Sequence, residues 1–453
     1  MAKDNYTFLT SSPVHEVILK LAGPSIVSML ATSLHNLVST FYVGRISTEA
    51  TAAVGVSFAL MAIIQAIGFL FGQGSGNFLS RALGAKKDTQ ASVMAATGFI
   101  YAVLSGALMT LFGLLFLSPL CSLLGATETI LPQTRSYLLW ILLGTPVMTG
   151  AMALNNQLRF QGSARFAMYG VLAGALVNVV LSPIFIFVVG MGVGGAGLGV
   201  FCGQSVNLAV MWWGTRRPGN IRIEARNFST GRFYVKEILA GGTPSLTRQG
   251  LASIGVAMLN VAAGAYGDVA IAGMSIVGRV TFVIMSVVIG IGQGYQPLCG
   301  FCYGAHLYDR VKKGFWFIIW VGVAFLAVCS GLGMAFAQPV IRVFRDDPEV
   351  VDIGSVALRW QMASLPLCAV IMYTNMMMQT TRRPVQANIL AAARSGIFFI
   401  PLILLLPRRF GLMGVQMCQT WSDVLSFVLA VVIAIGGFRT MGRGAPIPSE
   451  STK

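Results

Sequence analysis

The stretch Leu21–Gly44, LAGPSIVSMLATSLHNLVSTFYVG, most constrains what this chain can fold into. It is long and apolar, with a proline near its start and a short polar run, His35, Asn36 and Ser39, near its end. About 20 apolar residues span the hydrocarbon core of a bilayer, so the stretch can cross one. A similar pattern opens again 220 residues later. Pro24-Ser25 returns as Pro244-Ser245, Gly72-Gln73-Gly74 as Gly292-Gln293-Gly294, and Gly84-Ala85 as Gly304-Ala305. Pro146 returns as Pro366 and Asn155 as Asn375. One constant offset at five places reads as two copies of one membrane unit. The function is expected where the copies meet.

Only 10% of the 453 residues are charged and 55% are apolar, against about 25% charged in an average soluble domain. A soluble chain this poor in charge could not cover its surface. The class is an all-α polytopic membrane protein, with the lipid bilayer as its partner. The net charge of +16 would suggest nucleic acid in a soluble protein. Here the basic residues sit in loops, where membrane orientation explains them and no nucleic acid is expected. The N-terminus is polar, and the span after it is too long for a signal-peptide core, so no removable signal is expected. Most of the seven cysteines lie inside apolar runs. Cys299-x-x-Cys302 has no second pair, so it reads as structural rather than metal-binding.

Apolar runs separated by short polar loops give twelve helices, near 17–42, 50–78, 90–117, 136–158, 168–189, 197–215, 238–262, 269–298, 314–338, 355–378, 386–406 and 412–436. Helices are required because lipid offers no partner to backbone polar groups. The reading divides the chain into a six-helix lobe over 1–213, a linker over 214–236, a second six-helix lobe over 237–438 and a tail over 439–453. An even number of spans per lobe makes the second enter the membrane in the same direction as the first. The lobes are then related by a pseudo-two-fold along the membrane normal, with a V-shaped cleft between them. Such a cleft suits alternating access. Loops on the side of the termini carry Lys86, Lys87, Arg216, Arg217, Arg222, Arg226 and, in the tail, Arg439, Arg443 and Lys453. The opposite loops carry only Arg45, Arg135, Arg342, Arg345, Arg408 and Arg409. The positive-inside rule then places both termini in the cytoplasm. Gly68, Gly72 and Gly76 recur every four residues, as close helix packing requires. The run GMGVGGAGLG over 190–199 lacks a P-loop lysine and reads as a tight loop between the fifth and sixth helices.

NLVSTFYVG after the proline-bearing first helix, SRALGAKK after the second, and NVVLSPIFIF with GVGGAGLG around the fifth resemble the multidrug and toxic compound extrusion (MATE) family. QGYQPLCGFCYGA and ARSGIFFIPLILLLPRRFGLMGVQMCQTWSDVLS in the second lobe resemble it too, nearest its DinF-like and MepA-like bacterial branch. The resemblance runs over about residues 12–438. It implies a secondary transporter in the bacterial plasma membrane that acts as a monomer. Such a protein exports organic, often cationic compounds against an inward flow of protons or sodium ions, with no cofactor beyond that ion. The family pattern reads like NLVDTFFVG at the first helix and NxxLDP at the fifth. Here the acid positions hold Ser39 and Ser182, and Asn178 alone is kept.

An ionisable group inside a span is costly and marks function. Asp423 is the one deep acid, and Arg394 on the eleventh helix is its expected partner. His35 lies one turn before Ser39 on the same face, and histidine charges near neutral pH. His35 and Asp423, with Arg394, Ser39 and Ser182, are the candidates for cation coupling, with the weight on a second-lobe site that includes Asp423. Lys20, Arg248, Arg279 and Arg359 also fall in or at the edges of spans. Asn155, Asn156, Gln157, Asn178, Asn375, Met376 and Gln379 are the candidates for contact with substrate, placed on the cleft by the resemblance. A lipid-linked saccharide flippase of the same superfamily is the second reading. A membrane-embedded enzyme would need a deep HExxH, a GxSxG or paired aspartates, none of which occurs.

Overall fold

The computed structural model describes residues 3–441, without the side chains of Lys3, Asp4, Asn36 and Leu37. Arg443, Lys453 and most of the expected tail lie outside the described residues. The first lobe comprises α2 (Val14–Gly44), α3 (Thr48–Gly84), α4 (Asp88–Leu115), α6 (Leu131–Phe160), α7 (Ala164–Pro183) and α8 (Val193–Thr215), with a short α5 (Leu117–Leu123). The second comprises α9 (Arg232–Gly264), α10 (Asp268–Gly304), α11 (Tyr308–Ala335), α13 (Pro348–Thr380), α14 (Pro384–Ala392) running on into α15 (Phe399–Phe410), and α16 (Leu412–Arg439), with a short α12 (Ala337–Phe344). Eleven of these stretches are long and apolar enough to cross a membrane. The twelfth, α9, is as long but carries Thr243, Ser245, Thr247, Arg248 and Gln249. It occupies the place of α2 in the second lobe.

The repeat is visible in the backbone itself. Helices α3 and α10, and α4 and α11, begin and end 220 residues apart. Lys86 and His306 take the same left-handed turn (φ 57° and 60°), as do Gly162 and Arg382 (φ 86° and 63°). Gly68, Gly72 and Gly76 on α3 face Met152, Asn156 and Phe160 on α6, where any added methyl would overlap them. The glycine run over 190–199 differs from its reading as a loop. Gly190 and Gly192 turn the chain with positive φ, but α8 starts at Val193. Gly194, Gly197 and Gly199 then lie on that helix against Ser136, Tyr137 and Ser182. Close packing, not turn formation, explains them.

The lobes meet most tightly at the end of the bundle where α2 begins and α16 ends, called the terminal side below. There a methyl on Gly74 would overlap the backbone of Ile238, and one on Gly84 that of Phe301. Gly290 and Gly294 lie against Ile26 and Ala22. A helix the sequence did not announce, α1 (Lys3–Ser11), lies across this end. Leu9 is buried, and Arg310 of the second lobe donates to the Ser12 carbonyl at 2.6 Å. Nearer mid-helix, the lobes touch through Ser33 and Ser286 (3.3 Å) and through Gln249 and Gln65 (3.4 Å). Beyond these, Gly55 and Gly278 have nothing within 4 Å of a Cβ position. The arrangement is a V with its apex on the terminal side.

Candidate functional site

In the first lobe a cavity of about 30 Å³ is lined by His35, Ser39 and Thr40 of α2, Val54, Phe58 and Met61 of α3, Tyr137 of α6, Ser182 of α7 and Val200 of α8. The 3.6-residue period puts His35 and Ser39 on one face of α2. Ser39 donates to Asn178 Oδ1 at 3.3 Å. Ser182 fits because the facing residue is Gly199, where a side chain would overlap its hydroxyl. His35 Nδ1 is buried without a hydrogen-bond partner in the protein. The structure thus brings His35, Ser39, Ser182 and Asn178 to one place. The cavity can hold about two water molecules.

Asp423 of α16 lies apart from this cavity, in the second lobe, and is fully buried. Arg394 Nε donates to its Oδ1 at 2.7 Å, as does Gln419 Nε2 at 2.9 Å. Its Oδ2 accepts from Ser364 at 3.0 Å, Gln361 at 3.2 Å and Cys368 Sγ at 3.4 Å. Arg394 lies in a π-helical turn, Ala393–Ile397, between α14 and α15. The pairing with Arg394 was legible in the sequence. The other donors were not, although residues 361, 364 and 368 share one face of α13 at helical spacing. With its oxygens engaged by five donors, the carboxylate has the geometry of a fixed counter-charge.

The remaining candidates serve the packing of the lobes. Asn155 and Asn375, which share the offset, donate to the carbonyls of Ala167 and Ala387 at 3.5 and 2.6 Å. Each ties its helix to the next. Asn156 faces Gly72. Gln157 departs from the expected cleft position: it is 1% exposed and donates to Ser75 and the Ala95 carbonyl at 3.0 Å, inside the lobe. Successive helical residues turn by about 100°, so three in a row cannot share a face. Met376 lies against Gly292, and Gln379 donates to the Gly241 carbonyl at 2.7 Å and to Ser245 at 2.9 Å. Sequence reading passed over Glu237. Its carboxylate accepts from Arg81 of the first lobe at 3.1 Å and from Arg382 of the second at 2.7 Å. Arg81 also donates to the Thr380 carbonyl at 2.9 Å. This clamp closes the apex of the V.

The family model MatE matches residues 24–184 and 244–405, one match in each lobe. The chain belongs to the MATE family. It is a transporter in an all-helical two-lobe fold, not an enzyme. It is 24% identical over 440 residues to multidrug export protein MepA of Staphylococcus haemolyticus, across 96% of this chain and 95% of that protein. The same identity links it to MepA of Staphylococcus aureus, with 96% of each chain covered. The fold is that of a multidrug resistance MATE family transporter of the MOP superfamily solved in an outward-facing conformation. The TM-score is 0.92 at 23% identity, covering 98% of this chain and 100% of that one. A MATE structure in the straight conformation also gives 0.92, at 24% identity and the same coverage.

Proposed function

We propose that this MATE transporter exports amphipathic organic compounds across the bacterial plasma membrane, as a monomer, in exchange for protons that enter through the first-lobe cavity. The export reading is supported by family membership and by relatives named as multidrug export proteins. The basic loops and the positive-inside rule support a cytoplasmic terminal side, so the V opens outward. Return to an inward-open state then requires Glu237 to release Arg81.

The observation that carries the coupling is the buried, unpartnered His35 Nδ1 in a cavity with Ser39 and Ser182. Its imidazole is the lining group whose ordinary charge change falls near neutral pH. His35 is a protonatable group in this lining and no carboxylate among the described residues stands beside it, which favours protons over sodium ions. Asp423, the candidate weighted first on sequence, is held by Arg394, and its oxygens are taken. The test is pH-gradient-driven dye transport by purified protein in vesicles. His35→Gln is expected to lose the dependence on the gradient, while Asp423→Asn loses transport only in proportion to folded protein. Full gradient-driven transport by His35→Gln would sink the assignment.

A further inference from the structure

We infer that Arg248 is an oxyanion anchor on the second-lobe side of the cleft, and that the compounds this transporter carries include amphipathic organic anions. The inference rests on the transport reading for what is carried, but the anchor itself is read from geometry. Arg248 is the middle residue of the 33-residue α9. It lies eleven residues, about 17 Å along the helix, from the Glu237 clamp. Its neighbours fix its direction. Thr247 donates to Asn388 of α14, Ser245 is bonded by Gln379 of α13, and Gln249 reaches across the lobe boundary to Gln65. Between them, Arg248 Nη1 donates to Asn375 Oδ1 at 3.1 Å. Asn375 is locked because its Nδ2 donates to the Ala387 carbonyl. The guanidinium is therefore held by one nitrogen. The Nε–Nη2 edge, which suits side-on bidentate binding of a carboxylate, sulfonate or phosphate, is left over.

Among the described residues no carboxylate pairs with Arg248. The recorded ion pairs belong to Arg81, Arg226, Arg342, Arg382 and Arg394. The one deep acid, Asp423, is already engaged. An uncompensated arginine at mid-membrane depth is expensive and marks a function. The first lobe supplies an internal control on the structural explanation. At the equivalent position it has Ser28, which bonds its own helix at the Pro24 carbonyl. Asn155 nevertheless makes the same bond to the next helix as Asn375. The asparagine staple thus forms without an arginine, and the fold does not call for one. Met372, half-buried one turn along α13 from Asn375, offers a soft apolar surface for the organic part of a ligand.

The probes are fluorescein, a xanthene carboxylate, and rhodamine 123, a cation on the same ring system. Their equilibrium binding to the full-length protein in lipid-free detergent is read by fluorescence anisotropy. Wild type is expected to bind fluorescein. Arg248→Gln should weaken fluorescein about tenfold or more, and lower the fluorescein-to-rhodamine preference by a similar factor. Arg248→Lys, which keeps the charge but loses the fork, should fall between, and it serves if the glutamine variant does not fold. Wild type that binds rhodamine 123 but not fluorescein overturns the inference. So does an Arg248→Gln variant that weakens both dyes equally. Displacement of fluorescein by an equal concentration of a short-chain phosphatidylglycerol reassigns the anchor to a lipid headgroup, and also overturns it. Fluorescein binding that persists in a protein moving neither dye in vesicles sustains the anchor and refutes the transport reading instead.

Discussion

The two lobes are copies in backbone and opposites in chemistry. The first places His35 and Ser39 on α2, and the cavity forms beside them. At the same offset the second has Gly255 and Leu259. Gly255 lies beside the π-helical turn, with the Ser395 carbonyl 3.4 Å from where its Cβ would lie, an ordinary contact. That turn carries Arg394 onto Asp423. Gly174 stands in the first lobe where Arg394 stands in the second, and there two glycines, Gly174 and Gly203, bring α7 and α8 together. One lobe therefore keeps a small, mainly apolar cavity with an imidazole and the Ser39 and Ser182 hydroxyls in its wall. The other locks a buried charge pair, Arg394 with Asp423. A repeat fixes helix packing, and an exchange such as Gly174 for Arg394 decides which lobe closes by backbone contact and which by a charge pair.

That contrast can be broken most severely at the charge pair. Asp423→Asn leaves Arg394 without its counter-charge and should cost about 3–5 kcal/mol, seen as a large drop in the thermal midpoint in detergent. A variant that unfolds like wild type but has lost gradient-driven transport would instead make Asp423 a carrier. The clamp comes next. Glu237→Gln leaves Arg81 and Arg382 facing each other and should shift the balance toward terminal-side opening by roughly 2 kcal/mol, about thirtyfold. Spin-label distances between the terminal-side ends of α3 and α9 would read it, and an unchanged distribution rules the clamp out as a gate. The smallest effect is expected in the cavity. Ser39→Asp on a His35→Gln background should cost about 1–2 kcal/mol, because a carboxyl in a desolvated cavity takes up a proton rather than staying charged, yet restore pH-gradient coupling, because the acid lies in the same cavity. Failure of the double variant to respond to pH would mean that the cavity does not carry the proton.

The sequence by itself determined the class, the number of spans, the two copies and the Arg394–Asp423 pairing. Each is written along one dimension, as apolar length, as a fixed offset, or as the only two opposite charges deep in neighbouring spans. It also brought His35 and Ser39 together, since one helical turn separates them. What it could not decide was which neighbour each polar side chain meets across helices. Asn155, Asn156 and Gln157 are consecutive, yet one faces α7, one faces Gly72 and one turns to Ser75 and Ala95. Glu237 reads as an ordinary acid near a helix start until Arg81, 156 residues away, and Arg382, 145 away, arrive beside it. Arg248 reads as one more arginine in a span until the missing carboxylate and the locked Asn375 are seen together. Direction around a helix is set by the 100° turn per residue, but the identity of the facing residue is set by how helices pack. Only the tertiary structure holds that information.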